Sequence, residues 1–274
     1  MPELPEVETI ANGVDRRVQG DSIVSASFSK YKEPFKTPPG EMANALAGLR
    51  IARVYRVGKH IVVDLTAKSS RKLTEQLLVH LGMTGRLLVS SPDVPMAPHT
   101  QAVLSLASGR ELRFVDPRRF GRLELHALQS GAFAGPGSEP LTISLDDFVA
   151  LFRGRKLSIK AALLNQSLLH GVGNIYADES LFRAKIRPTR IAGRLTRQQL
   201  SLLHKGLRTV LKLAIRAGGS SVSDYVDADG VEGFFQIQHR VYGREGQPCR
   251  VCGTPIRRIV LAGRGTHFCP TCQK

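Results

Sequence analysis

The chain opens Met1-Pro2-Glu3-Leu4-Pro5-Glu6. Removal of Met1 leaves a secondary amine at Pro2. An α-amino group titrates close to neutral pH, so a useful fraction is unprotonated. Leu4, Val7, Ile10, Ala11, Val14 and Val18 follow at helical spacing, and Gly20 stops the run. The amine therefore stands at a helix start, where the positive end of the dipole disfavours the ammonium form. Such an amine can attack a sugar C1′, and the resulting iminium is permanently cationic, a better electron sink than a neutral imine. Glu3 and Glu6 place carboxylates within a turn of it, as a general acid and an orienting group. Pro and Glu are equally ordinary helix-start residues, so this segment alone leaves both readings open.

The second chemical signal is at the other end. All four cysteines lie in the last 26 residues, as Cys249-x-x-Cys252 and Cys269-x-x-Cys272. Two such knuckles can close a thiolate tetrahedron around Zn²⁺. A disulfide framework would not leave the first 248 residues bare. Four thiolates saturate zinc, so the metal is expected to be structural; free or redox-active thiols are the alternative. Arg257, Arg258 and Arg264 lie between the knuckles.

Elements must position these groups. Residues 22–125 alternate in an antiparallel β pattern, with runs at Ile51–Val57, His60–Leu65, Gln101–Leu106 and Leu112–Val115. Gly131–Pro140 reads as a soft linker. Beyond it, Asp146–Phe152, Ile159–His170, Ile175–Ala184 and Arg197–Ala217 read as helices, the last capped by Thr196. Gly218–Gly233 reads as a loop, and the tail as short strands and turns. The expected domains are 1–130, a linker 131–140, a helical domain 141–233 and a metal-bound tail 234–274. Lys plus Arg outnumber Asp plus Glu by 39 to 23, a net charge of +16. That surplus suits a polyanion such as nucleic acid, although a merely basic protein would share it. No long uncharged apolar run predicts a membrane span, and no signal peptide is expected.

Five blocks then carry a resemblance: Met1–Thr9 (MPELPEVET), His80–Gly85 (HLGMTG), Asp116–Gly121 (DPRRFG), Gly173–Glu179 (GNIYADE) and Gly263–Cys272 (GRGTHFCPTC). Spaced from the first residue to the last, they resemble the formamidopyrimidine-DNA glycosylase family. The resemblance implies an α+β multidomain fold: an N-terminal helix with an antiparallel β-sandwich, a helix-two-turn-helix domain, and a C-terminal zinc-finger β-hairpin. It implies a cytoplasmic bacterial enzyme, monomeric, with one structural zinc held by Cys249, Cys252, Cys269 and Cys272. The expected substrate is double-stranded DNA with oxidised purines (8-oxoguanine, formamidopyrimidines) or abasic sites. Base excision would be followed by β,δ-elimination.

The same resemblance assigns roles. Pro2 is similar to the Schiff-base nucleophile and Glu3 to the general acid at the sugar ring. Lys59 is similar to the lysine that contacts lesion-strand phosphate and assists β-elimination. Arg264 is similar to the finger arginine that grips phosphate and assists δ-elimination. Asn174, Lys160, His99 and Arg155 align with DNA contacts. Met83, Arg118 and Phe120 resemble the trio that fills the void left by a flipped base, and Gly218–Gly233 resembles the lesion-capping loop. Two departures stand out: the linker Gly135–Leu141 is longer than usual, and Asn165 replaces a commoner Asp. The sister endonuclease VIII branch, which acts on oxidised pyrimidines, typically has Gly where this chain has Leu4. A catalytically silent zinc-dependent DNA-binding protein is the rival of another class; the intact Pro2 and Glu3 speak against it.

Overall fold

The computed structural model describes all residues except 71, 127, 222–227, 229, 230 and 232. The chain divides into two units, Met1–Ala134 with Gly218–Gly233, and Gly135–Ala217 with Phe234–Lys274.

The first unit begins with helix α1 (Leu4–Val18), as the apolar spacing predicts. Two antiparallel four-stranded sheets follow. One has the order β1 (Ile23–Phe28), β6 (Thr100–Leu106), β7 (Glu111–Val115), β5 (Arg86–Ser90). The other has the order β2 (Arg50–Val57), β3 (His60–Thr66), β4 (Leu73–His80), β8 (Arg122–His126). A short helix α2 (Pro39–Leu46), not foreseen within the alternating region, lies against β1. The alternation turns Leu104, Leu112 and Phe114 of one sheet and Ile61, Val63 and Leu77 of the other into a single core. Val7, Ile10, Ala11 and Val14 of α1 pack into that same core. Helix α1 is therefore a member of the sandwich core.

The described ends of the 218–233 loop belong to this unit, where sequence places them with the helices. Ala228 is buried in the sandwich core. A Cβ on Gly233 would stand 2.4 Å from the carbonyl oxygens of Gly218 and Gly219, so the loop base is a close backbone crossing that only glycine permits. The middle of the expected lesion-capping loop lies outside the described residues.

The second unit contains α3 (Leu145–Phe152), α4 (Ile159–Leu164), α5 (Asn174–Arg183), α6 (Arg197–Arg216) and the hairpin β9–β10 (Arg257–Leu261, Arg264–Phe268). Ser144, Ser158 and Thr196 cap α3, α4 and α6. Helix α4 stops at Leu164, six residues before the expected end. The segment read as a soft linker is pinned in its second half. Ser138 exchanges backbone hydrogen bonds with Leu168 and His170, and a Cβ on Gly137 would meet the Gln166 carbonyl at 2.4 Å. The cysteine tail is likewise no separate unit: Phe182 of α5 shares a core with Val241, Cys249, Ile256 and Cys269.

Candidate functional site

In the first unit Met1 is exposed, whereas Pro2 and Glu3 are buried. Glu3 is the N-cap of α1 and forms a capping box with Glu6. The Glu3 N–H donates to Glu6 Oε2 at 2.9 Å. The second oxygen of the same carboxylate accepts the Ser220 N–H at 2.8 Å. Glu6 thus ties the chain start to the root of the 218–233 loop. Lys59 is placed by a two-residue hairpin, Val57-Gly58-Lys59-His60, with Gly58 alone in the left-handed region at φ +62°. Arg56 of β2 ties this turn to α1: its Nε donates to Glu8 of α1 at 2.7 Å, and its guanidinium also reaches the Gly58 carbonyl.

Met83 and Phe120 are 43% and 49% exposed, so neither is core packing. Gly82 (φ +61°) lies directly on the Phe120–Gly121 backbone, 2.5 Å from where its Cβ would be, which puts the Met83 and Phe120 loops in contact. The buried Asp116 carboxylate joins them. It accepts the Thr84 hydroxyl at 2.6 Å, the Gly121 N–H at 2.7 Å and the Arg118 N–H at 3.3 Å. The Arg118 guanidinium lies 4.7 Å from the Phe120 ring centroid. The His99 carbonyl accepts the Asp116 N–H, and His99 itself is exposed at φ +65°. Asp116 therefore gathers these loops onto one edge of the sandwich, its carboxylate fixing those of Met83, Arg118 and Phe120 and its backbone N–H the His99 carbonyl. Asp116 is a positioning residue that sequence did not single out, although it begins the DPRRFG block.

His80 stands behind the same loop. Its Nδ1 accepts the Gly82 N–H at 3.1 Å, which requires an unprotonated nitrogen. Burial, with His60, Lys59 and Arg122 nearby, lowers its pKa to about 4.

In the second unit Lys160, expected among the DNA contacts, is fully buried. Its ammonium pairs with Asp178 at 2.7 Å and donates to Thr266 Oγ1 and the Gly265 carbonyl. The other Asp178 oxygen accepts the His267 N–H at 2.8 Å. Asn174, at the start of α5, also donates to Gly265 O, at 3.0 Å. Two helices thus fix the backbone next to Arg264. That residue follows a two-residue turn, Ala262-Gly263, with both φ positive, and its side chain is exposed. Asn174 is half-buried, and the first-turn amides of α5 beside it suit a phosphate oxygen. Arg155 is half-buried and donates from Nε to the Leu151 carbonyl at 2.6 Å.

The cysteines come together as expected. All four sulfurs lie within 4.8 Å of one another. Zn–S bonds of about 2.3 Å in a tetrahedron require S···S edges of about 3.8 Å. The Cys249–Cys272 and Cys252–Cys269 separations are 3.9 and 3.5 Å, so the donor set fits zinc. The chain carries one structural zinc here. Among the described residues no helix is long and apolar enough to cross a membrane.

Comparisons with known proteins agree along the whole chain. Residues 1–123 match the formamidopyrimidine-DNA glycosylase N-terminal domain, 135–226 the H2TH domain of the same glycosylase, and 246–274 a zinc finger found in FPG and IleRS. A formamidopyrimidine-DNA glycosylase of Solibacter usitatus is 45% identical, and one of Herpetosiphon aurantiacus 43%, each over the full length of both chains. The MutM (Fpg) structure from Thermus thermophilus superposes with a TM-score of 0.85 at 41% identity, covering 99% of this chain and 98% of that one. A Lactococcus lactis Fpg in complex with abasic-site DNA gives 0.89 at 34% identity, over 99% of each.

Three outcomes are expected. Lys160→Ala leaves Asp178 buried without its cation, which should cost about 3–5 kcal/mol in denaturant unfolding. The slope of log K for DNA against log salt should not change, since no phosphate contact is lost; a slope shallower by about one unit would put Lys160 on the DNA. For His80, a folded pKa below the unfolded value means stability present above about pH 6.5 and lost as pH falls toward 4. His80→Asn should flatten that part of a Tm–pH curve, and an unaltered curve would show that His80 is not buried neutral. Chelation should remove one zinc per chain and loosen the second unit, while near-ultraviolet and amide-exchange signatures of the sandwich core persist. Simultaneous loss of both would contradict the separate cores.

Proposed function

Because the chain belongs to the formamidopyrimidine-DNA glycosylase family, we propose that it excises oxidised purines from duplex DNA through the amine of Pro2 and then acts as an abasic-site lyase. One observation carries the assignment. Pro2 and Glu3 are buried side by side at the start of α1, with Glu6 holding the backbone between them. Met1 is exposed, so its removal frees the amine without disturbing the capping box. The Lactococcus lactis relatives in complex with Fapy-dG-containing DNA support the substrate class.

In the proposed reaction the Pro2 nitrogen bonds to C1′ as the C1′–N9 bond breaks, and the base leaves with that electron pair and takes up the proton that the Pro2 nitrogen gives up. Glu3 protonates the sugar ring oxygen, which opens the ring and leaves a C1′ iminium. The iminium acidifies C2′–H. Loss of that proton expels the 3′ phosphate, and a second elimination, assisted by Arg264, expels the 5′ phosphate. Lys59 holds the lesion-strand phosphate and assists the first elimination. Met83, Arg118 and Phe120 occupy the space vacated in the stack. Arg118 donates to the orphaned base, and the thioether and the ring fill the gap. Asn174, Arg155 and His99 contact backbone phosphates.

Borohydride should trap the protein covalently on duplex DNA carrying 8-oxoguanine, and peptide mapping should place the adduct at Pro2. Retaining Met1 should abolish trapping while DNA binding persists. Glu3→Gln should impair base excision by roughly 10²-fold or more, within the range of general acid catalysis, and the elimination on a preformed abasic site far less. An adduct at Lys59 would overturn the nucleophile but leave the substrate class. Trapping on oxidised pyrimidines alone would overturn the substrate class.

A further inference from the structure

The second unit has a groove that the proposed reaction does not use. It is a cavity of about 490 Å³ between α5, α6, the Phe235–Gln238 turn and the first cysteine knuckle. Phe182, Val210 and Phe235 line it and are buried. At its mouth Ile237 and Val251 are each 68% exposed, the kind of uncovered apolar surface that marks an interaction site.

The rim is cationic. Arg183, Lys185, Arg240 and Arg250 are all exposed, and none pairs with an acidic side chain among the described residues. The single carboxylate of the lining, Glu179, is turned inward. It accepts the backbone N–H groups of Arg240, Val241 and Tyr242 at 2.9–3.0 Å and is 3% exposed, so it does not neutralise the rim.

The groove is also distant from the DNA-facing groups of the same unit. Asn174 and Gly265 meet at the N-terminus of α5, whereas Phe182 and Arg183 stand at its C-terminus, roughly 12 Å along the axis. A phosphodiester backbone would satisfy the four cations but not the apolar floor. A free apolar ligand would leave the cations unanswered. A peptide with carboxylates around one large apolar side chain meets both demands. We propose that this groove docks a short acidic segment of a partner protein, with one aromatic or large aliphatic side chain seated between Phe182, Val210 and Phe235.

The test is fluorescence anisotropy of the full-length zinc-loaded protein with a labelled peptide of aspartates around a single phenylalanine. Saturable binding is expected, weakened by roughly tenfold or more when the phenylalanine becomes alanine or the aspartates become lysines, about 1.4 kcal/mol per tenfold. Ile237→Ser and Arg250→Glu should weaken it similarly while lesion excision stays at the wild-type rate. The two peptide substitutions act on the unaltered protein, so they decide the matter even if a protein variant folds poorly. Absence of saturation, equal binding of the alanine peptide, or stoichiometric displacement by lesion-free duplex DNA would each overturn the proposal, the last by showing that the rim belongs to the DNA surface.

Discussion

Buried carboxylates that accept backbone N–H groups are the interaction on which the rest of this structure depends. Glu6 holds the α1 start and the Ser220 backbone, Asp116 holds three loop donors, Asp178 holds Lys160 and the His267 backbone, and Glu179 holds three successive amides. A carboxylate has two oxygens and several lone-pair directions, so one buried side chain can fix two or three loops that share no secondary structure. Each such bond is charge-assisted and shielded from water, which makes these loop positions costly to leave. The arrangement has an electrostatic consequence. These four carboxylates, directed inward, cannot screen the cations on the surface of a chain whose net charge is +16.

How far the sequence revealed this follows from the range of each interaction. Helix α1 matches its expected span because its periodicity, its Pro-Glu start and Gly20 are all local. Helix α4 is shorter than its apolar pattern because side chains compete for its last carbonyls. Asn165 Oδ1 accepts the Ser167 N–H, and Gln166 bonds the carbonyls of Leu164 and Val172 and the Gly171 N–H. Helix α2 hides behind Pro38-Pro39-Gly40, which reads as a turn although Pro39 is simply the first helical residue. Lys160 shows the limit most clearly. A lysine in a helix reads as a surface cation unless its partner is seen, and Asp178 and Thr266 are 18 and 106 residues away. The metal site was readable for the opposite reason, since each knuckle is local and thiolate chemistry leaves few other uses for that spacing.

Residues whose role depends on exposure were readable only through motif resemblance. Met83 and Phe120 are apolar and flanked by glycine or arginine, and composition would place them in a core. Their exposure comes from the Gly82–Gly121 contact, which holds two loops together outside the sandwich. The cysteine tail was separable in sequence because its composition changes abruptly, yet its apolar residues are too few to enclose a core without Phe182 of α5.

Lys59, Arg264 and His99 share a backbone setting. Lys59 follows the left-handed Gly58 in a two-residue hairpin, Arg264 follows Ala262-Gly263 in another, and His99 itself occupies the left-handed region. A two-residue hairpin leaves no freedom of register, so strand pairing on either side dictates where the Cα of the functional residue lies. The side chains of Arg264 and His99 are exposed, and that of Lys59 is half-buried. Long flexible cations would otherwise lose precision to backbone motion, and a misplacement of about 1 Å costs orders of magnitude in a positioned reaction. Setting the cations on tight turns of rigid hairpins, with carboxylates fastening the loops from behind, confines the flexibility to the side chain. The positive-φ residues are then part of the positioning machinery: a β-branched side chain at Gly58 or Gly263 would disturb the turn geometry that places Lys59 and Arg264.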